Sequence, residues 1–213
     1  MKTMDAMTRT RFTQDWVSPH VPAWTHLFQL FDIAPNKMLE IGSFEGRSAC
    51  WFLEHALSKN GTLYCVDTWK GNAEFKYLPK DSVTNAEARF HENTASVKSE
   101  GQQIVVIKDT SVRALSALIH AGHENSFDVI YIDGSHMAAD VLTDACLAWA
   151  LLGPQGVLIF DDYLFRLELG LEDRPKLAID MFTALFNSQL TTVMSGDQYI
   201  VSKKPIGDVN YVR

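Results

Sequence analysis

Acidic residues recur where short apolar runs stop. Glu40 sits in Met38-Leu39-Glu40-Ile41, just ahead of Gly42; Asp67 follows Thr62–Val66 and Asp109 follows Gln103–Ile107. Asp133 follows Phe127–Ile132, and Asp161-Asp162 follow Val157–Phe160. Asp suits turns, so any one of these means little. Five in register point to a shared task. A carboxylate roughly 20 residues past a glycine turn, as Asp67 is past Gly46, can accept hydrogen bonds from both ribose hydroxyls. Three crowded carboxylates, Asp133, Asp161 and Asp162, repel one another unless a cation or protons intervene. A hard divalent cation, Mg²⁺ or Ca²⁺, suits that all-oxygen set and would lower the pKa of a substrate hydroxyl. The alternative is that Asp162 caps the next segment and one acid alone faces the cleft. His136 is a candidate general base near neutral pH, or else a structural donor at a helix start or a solvent-facing side chain.

The stretch Lys37 to Gly46 ties these groups together. An apolar run, two glycines and a helix start make a nucleotide-sized site, because glycine lets a ligand approach and free N–H groups point at it. Glu40 would repel a phosphate but not a cation. That tilts the ligand from a dinucleotide toward S-adenosylmethionine (SAM), which carries an ammonium and a sulfonium. Asp109 could then accept from the adenine amino group, with Thr110 and Ser111 beside it or capping the next helix. Trp69 could stack on adenine or simply pack.

The positioning elements follow from periodicity. Helices are expected at Pro22–Asp32, Arg47–Ser58, Ser82–Lys98, from Ser111 to about Gly122, over Met137–Leu152 and over Pro175–Phe186. Strands are expected at the five apolar runs and near Leu190–Met194 and Gln198–Ser202, joined by a Ser195-Gly196-Asp197 hairpin turn. Lys70–Asp81 reads as a loop, and Leu164–Arg174 as a charged loop or lid. Five alternations of strand and helix require a mostly parallel sheet with helices on both faces, an α/β doubly wound fold. The final hairpin adds an antiparallel strand. The 213 residues make one domain, 1–213, with 1–15 mobile and 16–33 a helical cover, of which Pro22–Asp32 could serve as a dimer surface.

A formal charge of −7 weighs against nucleic acid as a partner. Cys50, Cys65 and Cys146 read as reduced core thiols of a cytoplasmic protein, without metal spacing. Neither a signal-peptide pattern nor a membrane-length apolar run is seen.

Leu39-Glu40-Ile41-Gly42-Ser43-Phe44-Glu45-Gly46-Arg47-Ser48 resembles the first SAM-binding motif of class I methyltransferases. Its form is that of methyltransferase domain family twenty-four, related to macrocin-type O-methyltransferases and cephalosporin hydroxylase-like proteins. Val66-Asp67-Thr68-Trp69 resembles that family's ribose motif, and Tyr131–His136 and Gly156–Tyr163 its later signatures. The resemblance implies the Rossmann-like SAM-methyltransferase fold, seven strands with the last inserted antiparallel. Glu40, Gly42, Ser43 and Gly46 are thereby implied at the methionine part, Asp67 with Thr68 and Trp69 at the ribose, and Asp109, Thr110 and Ser111 near the adenine. Asp133 is implied at both cofactor and metal, with Asp161 and Asp162 completing the metal set. Ser43 and Phe44 stand where many class I enzymes have a further glycine, and residues 163–174 match nothing in the family. The expected activity is methyl transfer from SAM to a small-molecule hydroxyl. The alternatives are a nucleic-acid or protein methyltransferase, or a SAM-binding protein without transfer activity. A nicotinamide oxidoreductase is disfavoured by the missing G-x-G-x-x-G.

Overall fold

The computed structural model describes residues 10–71 and 73–205. After a short 3₁₀ turn, α1 (Val21–Leu30) leads into β1 (Lys37–Ile41) and α2 (Arg47–His55). Then come β2 (Thr62–Asp67), α3 (Lys80–Thr84), α4 (Ala86–Val97), β3 (Gln103–Lys108) and α5 (Ser111–His120). The chain continues through β4 (Phe127–Ile132), α6 (Ala138–Leu151), β5 (Leu152–Phe160), α7 (Pro175–Leu185), β6 (Leu190–Ser195) and β7 (Tyr199–Lys203).

The seven strands of the described residues form one sheet in the order β3-β2-β1-β4-β5-β7-β6. The first five are parallel; β7 runs antiparallel between β5 and β6. Residue parity decides which side each side chain takes. Leu39, Ile41, Ile130 and Leu158 pack under α5, α6 and α7 with Leu115, Ala145 and Phe182. Met38, Val129, Tyr131 and Ile159 pack on the other face with Trp24, Phe52 and Phe90 of α1, α2 and α4. Both faces are covered, which is why the parallel strands read as near-continuous apolar runs. Chain order reverses between β1 and β4, and the crevice at such a switch point is where this architecture binds ligands.

The Pro22–Asp32 cover exists as α1, which buries Trp24, Leu27 and Phe28 on the sheet. That apolar face is therefore occupied within the chain, and Leu30 is the large apolar side chain it leaves exposed.

Several expectations need correction. Lys70–Asp81 is not plain loop: it holds a 3₁₀ turn, Ala73–Tyr77, and the start of α3. The expected Ser82–Lys98 helix is split at Asn85 into α3 and α4. Strand β5 starts earlier than Val157: Leu152 already pairs with Phe127, and Val157 pairs with Val129, so the intervening residues loop out of the ladder. Gln155, at φ +65°, carries that excursion. Cys146 is exposed, unlike Cys50 and Cys65. Much of the segment expected to be mobile, residues 1–9, lies outside the described residues. Its described end is tied down: the Arg11 amide donates to Asn93 Oδ1 (2.7 Å), and the Thr13 amide and hydroxyl both donate to Glu45 (2.6 and 2.8 Å).

Candidate active site

A cavity of about 880 Å³ opens at the carboxyl ends of β1 to β5, within the size range of small-molecule sites. Its first wall is the loop after β1. Gly42, at φ +86°, donates its amide to Val66 O (2.9 Å). A Cβ at Gly42 would stand 1.8 Å from the Asp133 carbonyl oxygen, so only glycine fits where the β1 and β4 loops cross. Ser43 also lines the cavity, whereas Gly46 does not: it packs against Phe90 of α4.

Glu40 departs from expectation. It is a residue of β1 itself, and parity sends its side chain into the sheet face under α2, fully buried. Its two oxygens accept from the Ser43 and Ser48 hydroxyls, each at 2.5 Å. Burial pushes its carboxyl up to about 7, against the opposing pull of those two hydroxyls. Glu40 therefore braces the glycine loop from behind. Ser48, which it orients, faces the cavity instead and had no role assigned from sequence.

Asp67 ends β2 and lines the cavity, but its carboxylate is largely engaged. Oδ2 accepts from the amides of Ser43 (2.9 Å) and Phe44 (2.8 Å), and Oδ1 from the amide of Trp69 (2.7 Å). A carboxylate offers about four acceptor positions. One remains, enough for a single ribose hydroxyl rather than two. The loop amides expected to face a ligand are thus committed to Asp67. Trp69 donates its indole N–H to Phe44 O (2.8 Å) and packs on Phe90 at 5.2 Å between ring centroids. Thr68 lies beside them on the wall.

At the end of β3, Asp109, Thr110 and Ser111 line the cavity. Asp109 is partly engaged: Oδ1 accepts from the Thr110 amide (2.8 Å), and Oδ2 pairs with Arg113 Nε (3.2 Å).

The acids after β4 and β5 separate into two groups. Asp162 occupies the left-handed region at φ +59°, a conformation Asp tolerates, and the turn sends it and its neighbour to different sides. Asp161 turns inward. It accepts from the buried Tyr131 hydroxyl, from Gln198 Nε2 (3.2 Å), and lies 3.5 Å from His20 Nε2. Gln198 is itself held by the Trp24 indole N–H (2.8 Å). Asp162 turns to His136, whose Nε2 lies 2.8 Å away. Asp133 accepts from the same Tyr131 hydroxyl at 3.1 Å. Burial, with Asp161 and Asp162 nearby, holds the Asp133 carboxyl well above the carboxylate range; burial and Asp162 raise Asp161 too.

The candidate cation set is accordingly Asp133, His136 and Asp162, whose donor atoms lie within 4.8 Å of one another. Asp161, also expected as a ligand, lies outside that group, with its oxygens directed to Tyr131, Gln198 and His20. A void of about 10 Å³ sits among these side chains, close to the room one water-sized sphere needs. Two oxygens and an imidazole nitrogen fit a divalent ion, and they suit Mn²⁺ at least as well as the Mg²⁺ or Ca²⁺ of an all-oxygen set.

The near wall belongs to the expected 16–33 cover, but its first residues form no part of the α-helix, which begins at Val21. Trp16, Val17, Pro19 and His20 border the cavity as a strap before α1, and Arg47 reaches from α2 to hold it through Asp15 (2.7 Å) and Ser18 Oγ (2.8 Å). The strap has no periodicity to betray it. Phe165 and Arg166, from the unassigned 163–174 segment, line the cavity as well.

A methyltransferase domain model matches residues 39–163. The O-methyltransferase hkm8 of Aspergillus hancockii is 26% identical over 145 residues, 68% of this chain and 49% of that protein. The chain spans 59% and 49% of the lengths of the two curated relatives. Among solved structures, the O-methyltransferase from Bacillus cereus in complex with S-adenosylhomocysteine (SAH) superposes with a TM-score of 0.64 at 17% identity. That match covers 90% of this chain and 83% of the other. MycE, a methyltransferase of the mycinamycin pathway solved with Mg, SAH and mycinamycin VI, superposes with a TM-score of 0.57 at 16% identity, covering 90% and 51%. No helix among the described residues is long and apolar enough to cross a membrane.

Proposed function

Because this chain belongs to the methyltransferase domain family, whose model spans residues 39–163, we propose that it transfers a methyl group from SAM to a hydroxyl of a small molecule. The observation that carries this reading is the convergence of one cavity on the ends of β1 to β5, with Gly42, Asp67, Asp109, Asp133 and Asp162 on its walls. SAM supplies an activated methyl on sulfur; the acceptor oxygen forms the new C–O bond as the C–S bond breaks and its electron pair returns to sulfur. The protein's part is alignment and proton removal. Ser43 and Ser48 border the place for the amino-acid portion, Asp67 keeps one acceptor position for a ribose hydroxyl, and Asp109 to Ser111 border the base. A divalent ion held by Asp133, His136 and Asp162 would acidify the acceptor hydroxyl. Without an ion, His136, oriented by Asp162, takes that proton.

The Mg in the MycE complex supports an ion requirement, and the hkm8 and Bacillus cereus relatives support oxygen as the acceptor atom. The net charge of −7 favours a small-molecule acceptor over nucleic acid. The unpaired Cys50 and Cys65 support a reducing, cytoplasmic setting. Calorimetry with SAM and SAH tests the reading directly, and absence of binding to either removes it.

A further inference from the structure

One buried carboxylate has no part in the scheme above. Asp144, on α6, is 2% exposed and lines the cavity. The Ser111 hydroxyl, at the start of α5, bonds it, while its Oδ1 meets no hydrogen-bond donor. The charged neighbour that acts on it, Asp140, repels it rather than pairing. A buried acceptor left unpaired is costly, so this one is poised for a donor that arrives with a ligand. Gly134 packs beside it: a Cβ there would stand 3.9 Å from Asp144 Oδ2.

Asp144 lies beside the loops after β3 and β4, next to Ser111 and Gly134. On the methyl-donor reading, on which this inference rests, that part of the cavity receives the nucleobase. Asp109, the residue expected to read the base, already serves Thr110 and Arg113. We propose that Asp144 accepts a hydrogen bond from the exocyclic amino group of the donor's adenine, and so selects a 6-amino over a 6-oxo purine. A 6-oxo base would set an acceptor against an acceptor, and sites built around a hydrogen bond reject analogues lacking it. Burial pushes the Asp144 carboxyl up to about 6; an acceptor oxygen persists in either protonation state.

The test is calorimetry of the full chain with SAH and with S-inosylhomocysteine. Wild-type protein should prefer SAH by at least about 100-fold. Asp144→Asn, whose amide can donate to a 6-oxo group, should cut the preference below about tenfold, partly by strengthening the inosine analogue. Asp144→Ala, which removes the acceptor altogether, should likewise cut the preference, and it decides the matter should the Asn variant not fold. Equal binding of both ligands by wild type, or an unchanged preference in Asp144→Asn or Asp144→Ala, overturns the assignment. Wild-type protein that binds neither ligand removes the methyl-donor reading itself.

Discussion

At the residue scale, Glu40 shows how strand parity decides what an acid ahead of a glycine turn touches. Its place before Gly42 suggested a contact with a cationic ligand; strand parity instead turns it under α2, between Ser43 and Ser48. The consequence is measurable through pH. Its carboxyl is raised by burial to about 7 from an ordinary 4.5. The folded state therefore keeps a proton that the unfolded state releases, and stability falls as pH rises from about 4.5 to about 7, by up to about 3 kcal/mol from this group. Asp144, raised to about 6, acts with the same sign over a lower window. Glu40→Gln should match wild type near pH 4 and exceed it above pH 7, as read from urea midpoints. A wild-type advantage at pH 8 would mean that the ionised form is what the Ser43 and Ser48 hydroxyls stabilise. A second residue-level prediction separates neighbours. Asp162→Asn should lower turnover about 100-fold while changing SAH affinity less than about threefold, because a candidate ion ligand acts in the chemical step and not in ground-state binding. Asp161→Asn should fall less, since Asp161 faces Tyr131, Gln198 and His20; the reverse order in kcat would return Asp161 to the ion. The strand-end acids were legible because an Asp after an apolar run is a local pattern. Asp144 and His20 were not, because an Asp inside a helix and a His before it look alike whether buried or solvated.

At the level of elements, the five strand–helix units were legible in the sequence because β-runs bounded by glycine and helices of ten or more residues leave clear periodicity. Lys70–Asp81 was misread because a five-residue 3₁₀ turn and a five-residue helix are too short to show any. The early start of β5 was hidden by Gly153-Pro154, which reads as a stop and is in fact part of an excursion between two ladder contacts. The β1–α2 turn carries the sharpest element-level prediction. Gly42 and Gly122 both have φ above +80°, so alanine at either pays the left-handed penalty of about 1–2 kcal/mol. They differ in surroundings. Gly122 has nothing within 4 Å of its would-be Cβ, whereas Gly42 has the Asp133 backbone oxygen at 1.8 Å. Gly122→Ala should stay near that penalty, and Gly42→Ala should lose several kcal/mol more, with SAH binding abolished, because two strand loops cannot part without breaking the Asp133 N–H to Ile41 O bond (2.8 Å). Similar denaturation midpoints for the two variants would show that the crossing is not fixed.

At the scale of the whole molecule, the cavity has a wall that the sheet does not supply. The strap ahead of α1 closes it on the near side, and its fastenings join distant parts of the chain: Arg11 to Asn93 on α4, Thr13 to Glu45 in the β1 loop, Asp15 and Ser18 to Arg47 on α2, and His20 to Asp161 after β5. Glu45 is nearly fully buried and is balanced by Arg89 at 3.0 Å, so it is a fixed anchor to which the strap attaches. Trp16 rests on Phe44 and Phe75, with ring centroids at 5.4 and 6.3 Å, and remains half exposed. On the proposed reading, a ligand seated between the strap and the strand ends would leave by displacing the strap, a gating step of the kind that often sets release rates. Thr13→Pro removes both donors to Glu45, the amide and the hydroxyl, yet leaves the Glu45–Arg89 pair intact. Hydrogen bonds to a charged acceptor contribute about 1.5–3 kcal/mol each, so their loss should speed SAH release about tenfold or more. The same loss should also lower the thermal midpoint by several degrees, so release is read well below it. Stopped-flow tryptophan fluorescence on wild type and variant would read the release rate. Accelerated release from a variant still folded at the assay temperature places the gate at the strap; an unchanged release rate means that the ligand leaves past Phe165 and Arg166.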